Sequence, residues 1–253
     1  STVTVPFYIG PKEIDRLVEV DPPLMNAIDF GMFGWLVRPL LRSLKWINQF
    51  VHNYGWSIII LTVIINVIIF PLRHKSMVSM RRMQTLQPQV KAIQERYKNL
   101  KFTDPDRQKM NSEMMALYKQ HGVNPASGCV PMLLTLPILF AFYAMLAVAI
   151  ELRGAPFGGW INDLAAKDPL YITPIIMGGT MFWQQRMMPT TADPVQQRVF
   201  LFLPLIFTFM FLTMPSGLVL YWTASNLLAI AQQTVTNRLI AAPAKPARLP
   251  RKA

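Results

Sequence analysis

The chain has 253 residues, of which 52% are hydrophobic and only 15% are charged. Soluble domains carry about 25% charged residues, so this composition argues against a soluble enzyme and favours a membrane protein. The formal net charge of +12 fits contact with nucleic acid, contact with anionic lipid, or basic loops on the inner side of a membrane, and the positions of the charges decide between these.

The first 53 residues contain no membrane span. Residues 1–29 are mixed in character and begin with Ser1 rather than methionine, so we expect them to finish an extracytoplasmic domain that lies upstream. In residues 30–53, apolar side chains recur at helical spacing with Arg38, Arg42 and Lys45 between them. This pattern predicts an amphipathic helix on the outer membrane surface. A helix that packs on the upstream domain would give the same pattern.

Five runs without Asp, Glu, Lys or Arg predict five transmembrane helices. They cover residues 56–72, 129–150, 169–183, 199–214 and 218–235. A straight span needs about 20 residues, within a range of about 17–25, so two of the runs are short. Short spans thin the bilayer or let their flanking residues snorkel to its surface. Core helices of a soluble protein can be equally apolar, but five of them in one chain favour the membrane.

The distribution of Lys and Arg predicts the orientation. Residues 73–127, 184–198 and 238–253 hold 18 of the 25 basic residues, whereas residues 1–53 and 151–168 hold seven. Basic loops remain on the cytoplasmic side, so the first, third and fifth helices are predicted to run from outside to inside and to leave the tail in the cytoplasm. The positive charge is then explained by topology.

A cytoplasmic helical hairpin is predicted after the first span. Pro88 is expected to bend its first arm, and Asp104 followed by Pro105 predicts the start of the second. Its methionines either pack the two arms together or form an adaptable binding surface. The sequence thus predicts an all-α polytopic membrane protein. Its segments are an extracytoplasmic end (1–29), an interfacial helix (30–53), membrane helices (54–72, 128–150, 169–187, 198–214, 215–237), the hairpin (73–127), an outer loop (151–168), a cytoplasmic loop (188–197) and a basic tail (238–253).

Polar side chains inside the apolar runs are costly in lipid and mark candidate functional positions. Thr62 and Asn66 share one face of the first helix, and Arg73 lies seven residues further along, about 10 Å nearer the cytoplasm. With Thr135, Gln184 and a stripe on the fifth helix, these residues are predicted to line a polar track. Interhelical hydrogen bonding without a cavity is the alternative, and for Thr135 alone it is the preferred interpretation. The stripe comprises Trp222, Ser225, Asn226, Gln232 and Gln233.

The sequence shows no catalytic or metal-binding pattern. His52, His74 and His121 lie outside the apolar runs and away from any acid and nucleophile arrangement. Cys129 is the single cysteine, so it can form no intrachain disulfide and no multi-cysteine zinc site, and it is interpreted as a packing residue. We therefore predict no catalytic residue, no metal and no cofactor.

Several long motifs stand out in the sequence. They include Phe70-Pro71-Leu72, Val123-Asn-Pro-Ala-Ser-Gly-Cys-Val-Pro131 and Pro215-Ser-Gly-Leu-Val-Leu-Tyr221. These motifs resemble the bacterial YidC family of membrane protein insertases, and the likeness extends over residues 10–240. The resemblance implies an inner-membrane protein with a five-helix core around a hydrophilic groove that opens to the cytoplasm and to lipid and is closed on the outer side. It also implies that a substrate's polar tail enters the groove and that its apolar helix leaves along the second and fourth helices.

The resemblance implies that Thr62, Asn66 and Trp222 occupy the positions that line the groove in the family. Many members have an arginine where this chain has Asn66, and a tyrosine is common where it has Trp222. We hypothesise that Arg73 supplies the missing positive charge from the cytoplasmic mouth of the groove. The implied function is that of an insertase and chaperone for new inner-membrane proteins, without a nucleotide, a metal or a small-molecule substrate.

The predicted partners are nascent membrane proteins and membrane lipids. The basic tail favours ribosome binding, although a free cytoplasmic end would look the same. Contact with the secretion translocon is implied by the family only. A solute or ion transporter is the alternative function, but the spans lack charged coupling residues and an internal repeat. An intramembrane enzyme would need a catalytic set, which the sequence lacks.

Overall fold

The computed structural model describes residues 10, 17, 31–97, 106–124, 130–187 and 194–239, and this part of the chain is helical apart from short turns and loops. The predictions on Asp104, Pro105 and Cys129, and most of those on the two chain ends, lie outside the described residues. The helices are α1 (Gly34–Val51), α2 (Tyr54–Thr85), α3 (Gln87–Arg96), α4 (Asp106–Gln120), α5 (Val130–Val148), α6 (Ile172–Met187), α7 (Pro194–Phe211) and α8 (Ser216–Leu239).

Helix α1 is amphipathic, and its two kinds of apolar residue face different surroundings. Its aliphatic stripe is buried in the core that α1 shares with α2 and α5. Its large aromatic residues Trp35, Trp46 and Phe50 are exposed instead. The helix is thus a packed part of the fold with an aromatic outer surface. The buried stripe consists of Val37, Leu40, Leu41, Leu44 and Ile47.

Helix α2 begins at a side-chain cap and runs well beyond the predicted membrane span. Asn53 Oδ1 accepts hydrogen bonds from the backbone nitrogens of Gly55 (2.9 Å) and Trp56 (3.2 Å). Pro71 lies inside the helix, which continues to Thr85, so the predicted membrane segment (54–72) and the start of the predicted hairpin form one continuous helix. Proline removes only one backbone hydrogen bond, and neighbouring groups in a bundle can compensate for it.

A helix break falls at Leu86, close to Pro88, where the sequence predicts a bend in the first hairpin arm, and Pro88 lies in the first turn of α3. Helices α3 and α4 pack as a pair beyond this break. The Tyr97 hydroxyl donates to Glu113 Oε1 over 2.7 Å, and the Arg96 guanidinium lies 3.2 Å from the same carboxylate. These contacts join the two arms expected from the sequence.

The link between α7 and α8 is held by the loop before α6. Ser216 donates from its backbone nitrogen and its hydroxyl to Ala166 O, each over 2.7 Å, and Gly217 N donates to Leu164 O over 2.9 Å. A Cβ on Gly217 would lie 3.0 Å from the Leu146 side chain. Glycine therefore allows α8 to begin close against α5 and this loop.

The same loop is anchored to the rest of the molecule at three further points. The Phe157 ring packs directly on Gly55, where any side chain would overlap the ring. Asn53 Nδ2 donates to Phe157 O over 3.1 Å. Lys45 Nζ of α1 lies 2.5 Å from a carboxylate oxygen of Glu151, and both side chains are largely buried. This end of the helix bundle is therefore tightly closed.

Asp168 fixes the start of α6. Its Oδ2 accepts from the Thr173 backbone nitrogen (2.8 Å) and hydroxyl (2.7 Å), and its Oδ1 accepts from Leu170 N (2.9 Å). Burial by itself would raise the pKa of Asp168, but the hydrogen bonds from Thr173, Leu170 and Trp160 together hold the pKa below its usual value. The carboxylate is thus stabilised in its charged form as a helix cap.

Within the described residues, α2 is the one helix long and apolar enough to cross a membrane, and shorter apolar helical stretches cover Leu133–Val148 and Val199–Phe211. Helix α8 packs against α2, α5 and α6, and α6 packs against α7. Gly178 of α6 lies so close to Thr208 of α7 that a Cβ there would overlap the threonine hydroxyl. The bundle is therefore centred on α8.

Candidate functional site

A half-buried arginine lies between α2 and α5, held by uncharged polar groups. Arg73 Nη1 donates to Asn66 Oδ1 over 2.7 Å, and Arg73 Nη2 donates to Thr135 Oγ1 over 3.2 Å. Arg73 Nε is buried and has no hydrogen-bond partner among the described residues. The seven-residue spacing places Asn66 and Arg73 on nearly one helix face, and a helical side chain leans toward the N-terminal end. The guanidinium therefore reaches back to the Asn66 amide.

The chain of polar contacts continues toward the middle of α2. Asn66 Nδ2 donates to Thr62 O over 2.8 Å, and the Thr62 hydroxyl donates to Ile58 O over 2.7 Å. Thr62 is fully buried and Asn66 is nearly so. Thr62, Asn66, Arg73 and Thr135 thus form one connected cluster, which we call the arginine cluster. These hydrogen bonds link four of the residues that the sequence predicts to line a track.

The polar stripe of α8 divides into two rows that face different helices. In the row toward α2, Gln232 Nε2 donates to Phe70 O over 3.2 Å, and Thr236 Oγ1 lies 3.4 Å from His74 Nδ1. Ser225 is buried on the same side of α8, one turn beyond Tyr221. This row binds α8 to α2 along the length of their contact.

The second row faces α6. Asn226 Nδ2 donates to Thr180 Oγ1 over 3.2 Å, and Gln233 Nε2 donates to Met187 O over 2.6 Å. Residues 225 and 226 diverge because successive residues of a helix point about 100° apart. These contacts are interhelical hydrogen bonds of the kind that the sequence analysis kept as an alternative.

Trp222 and Gln184 lie away from the arginine cluster. The Trp222 ring packs on Phe207 and Phe211 of α7, with ring centroids 5.6 and 5.2 Å apart. Gln184 is half-buried on α6, and no hydrogen bond joins it to the other predicted site residues that the structure describes. Tyr221, rather than Trp222, lies on the side of α5, where it is buried and stacks on Phe142 at 4.1 Å.

Two further polar contacts involve residues that the sequence analysis did not select. Arg81 Nη2 of α2 donates to Asn237 Oδ1 near the end of α8, and Thr180 accepts from Asn226. In the sequence, Arg81 stands beside Arg82 in a basic segment and looks like one more inside-positive charge. Only its contact with α8 distinguishes it from its neighbour.

The arrangement offers positive charge without an acidic partner. None of the acidic groups in the described part of the chain forms an ion pair with Arg73, whose hydrogen-bond acceptors are an amide and a hydroxyl. The described residues also contain no group of three or more His, Cys, Asp or Glu side chains that could hold a metal ion. This cluster can bind an anionic or strongly polar group through hydrogen bonds.

The sequence was compared with family profiles. The 60Kd inner membrane protein family matches residues 46–243, and the YidC periplasmic domain matches residues 1–43. The chain belongs to the YidC family of inner-membrane proteins. The resemblance seen in the sequence motifs is thus confirmed, and the second match agrees with the expected extracytoplasmic origin of residues 1–29.

Curated members of the family align over nearly the whole chain. The protein named membrane protein insertase YidC from Geotalea daltonii is 53% identical over 235 residues, which cover 93% of this chain and 43% of the relative. The same-named protein from Geobacter sulfurreducens is 53% identical over 238 residues, covering 94% of this chain and 44% of the relative. The chain therefore spans less than half the length of these family members.

A solved structure shares the fold. The crystal structure described as an active YidC insertase with its first transmembrane domain resolved superposes with a TM-score of 0.62 at 29% identity. The match covers 88% of this chain and 50% of the other. The predicted all-α class is therefore confirmed, and the fold is that of the YidC family.

Proposed function

We propose that this protein is a membrane protein insertase, as its relatives' name states of them, and that it also acts as a chaperone. In this proposal, five membrane helices (α2, α5, α6, α7 and α8) surround a hydrophilic groove, and the arginine cluster lies within it. The tail is cytoplasmic, and α1 lies at the outer surface with its aromatic residues toward the headgroups. The nascent membrane protein is the client, while the ribosome and the secretion translocon are further proposed partners.

The single observation that carries the proposal is the half-buried Arg73 guanidinium, held by Asn66 and Thr135 and not by an acid. A charged side chain at the centre of a bilayer costs about 2.5–3.5 kcal/mol on insertion scales. A polar groove that reaches into the membrane lowers this cost for a translocating tail. Each terminal nitrogen of the Arg73 guanidinium carries a second N–H besides the one that donates to Asn66 or Thr135, and the tail accepts from these donors.

The surface of α7 supports the path proposed for the client's apolar helix. Seven large apolar residues described on this helix are exposed, and in a membrane they would face lipid or an incoming helix. Since these apolar side chains need no polar partner, an apolar segment can slide along them. The exposed set is Val199, Leu201, Phe202, Leu205, Ile206, Phe209 and Met210.

The test is insertion of a short single-span protein with an acidic tail into vesicles that contain the full-length protein, with protease protection of the tail as the readout. We expect protection above that of empty vesicles, and a strong loss with Asn66→Leu combined with Thr135→Val. Thr213→Val is the matched control because Thr213 lies exposed in the turn after α7 and its hydroxyl donates to Met210 O over 3.1 Å, away from the arginine cluster. Uptake of a small solute without tail protection would favour the transporter alternative.

A further inference from the structure

An apolar cavity of about 350 Å³ lies at the closed end of the bundle, between the first turns of α6 and α8 and the loop that joins α5 to α6. This volume is at the lower end of the range for small-molecule sites, which is about 300–1,000 Å³. Helix α6 contributes Thr173 and Ile176 to the lining, and α8 contributes Leu220 and Thr223. The loop contributes residues 157–161.

The polar side chains around this cavity are bonded within the protein. The Thr173 hydroxyl donates to Asp168 Oδ2 over 2.7 Å, and the Trp160 indole donates to the same carboxylate. The Thr223 hydroxyl donates to Val219 O of its own helix over 2.8 Å. Since these groups need no partner from an occupant, the cavity favours an apolar chain over a polar ligand.

The loop side of the cavity is a fixed turn. Phe157 N donates to Ile161 O over 3.1 Å, and Ile161 N donates to Gly158 O over 3.2 Å. Gly158 and Gly159 have φ angles of 150° and 60°, and a Cβ on either would meet open space. The protein therefore shapes the cavity before anything enters it, which lowers the ordering cost of binding.

The cavity opens onto a surface that suits the edge of a bilayer. Ile176 lines the cavity and is 48% exposed, and Ile175 beside it is exposed as well. At the end of the bundle, Lys167 pairs with Pro215 before α8, and its Nζ lies 5.9 Å from the centre of the exposed Tyr171 ring. Lys167 forms no ion pair within the described part of the chain. An apolar opening next to an aromatic ring and an exposed cation matches the order of acyl chain, interface and phosphate in a phospholipid.

The position of the cavity favours lipid over a client as its occupant. The arginine cluster lies between α2 and α5, whereas the cavity lies between α6 and α8 at the end that the outer loop closes. A client that enters the proposed groove from the cytoplasm starts at the opposite end. A phospholipid of the outer leaflet meets the cavity directly in the orientation proposed above.

We propose that this cavity binds one acyl chain of a phospholipid, with the lipid phosphate beside Lys167. The bound chain fills the gap between the first turns of α6 and α8. This site goes beyond the proposed insertase function, and its test measures lipid binding rather than insertion.

The test titrates the full-length protein in detergent with phosphatidylglycerol that carries a photoreactive diazirine in one acyl chain. After illumination, mass spectrometry of peptides gives the half-saturating lipid concentration for label in residues 157–161. Thr223→Phe fills the cavity. Thr234→Phe is the matched control, because Thr234 lies 11 residues further along α8, close to three helical turns, and is also half-buried. Its hydroxyl likewise donates to a carbonyl oxygen of its own helix.

We expect Thr223→Phe to raise the half-saturating concentration by about tenfold, since exclusion of two methylene groups from an apolar site has about that effect. Thr234→Phe should leave it unchanged. Lys167→Gln should raise it by about two- to fivefold, as the loss of one exposed ion pair does. Arg153→Gln removes an exposed cation of the same loop and should have no effect. Because Lys167 is exposed, its variant tests the proposal even if Thr223→Phe does not fold.

Three results would overturn the proposal. In the first, label in residues 157–161 rises without saturation, as label on the exposed face of α7 is expected to do. In the second, the native protein and Lys167→Gln bind the lipid equally well, so that the phosphate lies elsewhere. The third comes from a parallel experiment in which the diazirine is placed in the apolar segment of a client. If that client labels residues 157–161 and the phospholipid does not, the cavity binds a client helix.

Discussion

Replacement of Arg73 by glutamine tests the central charge of the proposed groove. The Arg73→Gln variant would keep a polar, hydrogen-bonding side chain but would remove the positive charge beside Asn66 and Thr135. A carboxylate 4 Å from a guanidinium gains about 1 kcal/mol in bulk water and about 4 kcal/mol at an effective dielectric constant of about 20. Because Arg73 is half-buried, an intermediate value of about 2 kcal/mol applies, which is roughly a 30-fold change.

We therefore expect Arg73→Gln to slow protection of an acidic tail by roughly 30-fold and protection of a neutral tail by less than about threefold. The assay is the vesicle insertion experiment with matched tails. Lys75→Gln serves as the control, because Lys75 is an exposed cation two residues away. If Arg73→Gln inserted the acidic tail as fast as the native protein does, Arg73 would not be the source of the charge in the groove.

A double variant separates charge from position. Since Arg73 Nη1 lies 2.7 Å from Asn66 Oδ1, an arginine at position 66 would place its charge near the same point. Asn66→Arg combined with Arg73→Asn should consequently restore most of the activity lost in Arg73→Gln. Failure of this swap, with the protein folded, would mean that the orientation of the guanidinium matters and not only its charge.

Two further predictions concern the scaffold. Gly178→Ala should lower the free energy of unfolding of the detergent-solubilised protein by about 1–3 kcal/mol, since the new methyl group overlaps α7. Gly179→Ala, whose methyl group meets open space, should be neutral or stabilising by up to about 1 kcal/mol. Equal effects of the two variants would contradict the close contact between the helices. Asp168→Ala should cost about 1–2 kcal/mol at neutral pH. Because the folded-state pKa of Asp168 is lowered, its contribution is fully present above the unfolded pKa of about 3.9 and is lost as the pH falls through the folded pKa. The melting difference between Asp168→Ala and the native protein should hence stay constant from about pH 5 to pH 8 and shrink below about pH 4; a difference that shrinks above pH 5 would contradict the capping role.

Local periodicity predicted most of the helices but not all of their ends. The amphipathic pattern of residues 30–53 appears as Gly34–Val51, and the predicted boundary between residues 214 and 215 falls in the short link between Phe211, the end of α7, and Ser216, the start of α8. The continuation of α2 through Pro71 to Thr85 could not be predicted, because proline is both a helix breaker and a tolerated residue inside packed bundles. Which outcome applies depends on neighbouring helices that the sequence does not place.

The candidate site was also predicted only in part, because the sequence does not show which helices are neighbours. Spacing alone placed Asn66 and Arg73 on one face, and their hydrogen bond agrees with that placement. Spacing could not show that the stripe of α8 meets two different helices, or that Trp222 packs on α7. Arg81 was not selected from the sequence because it lies in a basic segment, where only its tertiary contact with Asn237 distinguishes it from a solvated arginine.

Among the described residues, Arg73 is held by neutral partners, which orient the guanidinium without cancelling its charge. A carboxylate beside Arg73 would satisfy the guanidinium and cancel its charge, and in the proposed groove a client's acidic tail would then have to compete with it. The Asn66 amide and the Thr135 hydroxyl instead each form one hydrogen bond that fixes the group in place. In our proposal the charge then remains available to a passing carboxylate, which binds weakly enough to leave again because the site is only half-buried. An oriented cation that its partners do not neutralise is what the proposed transient path for acidic tails requires.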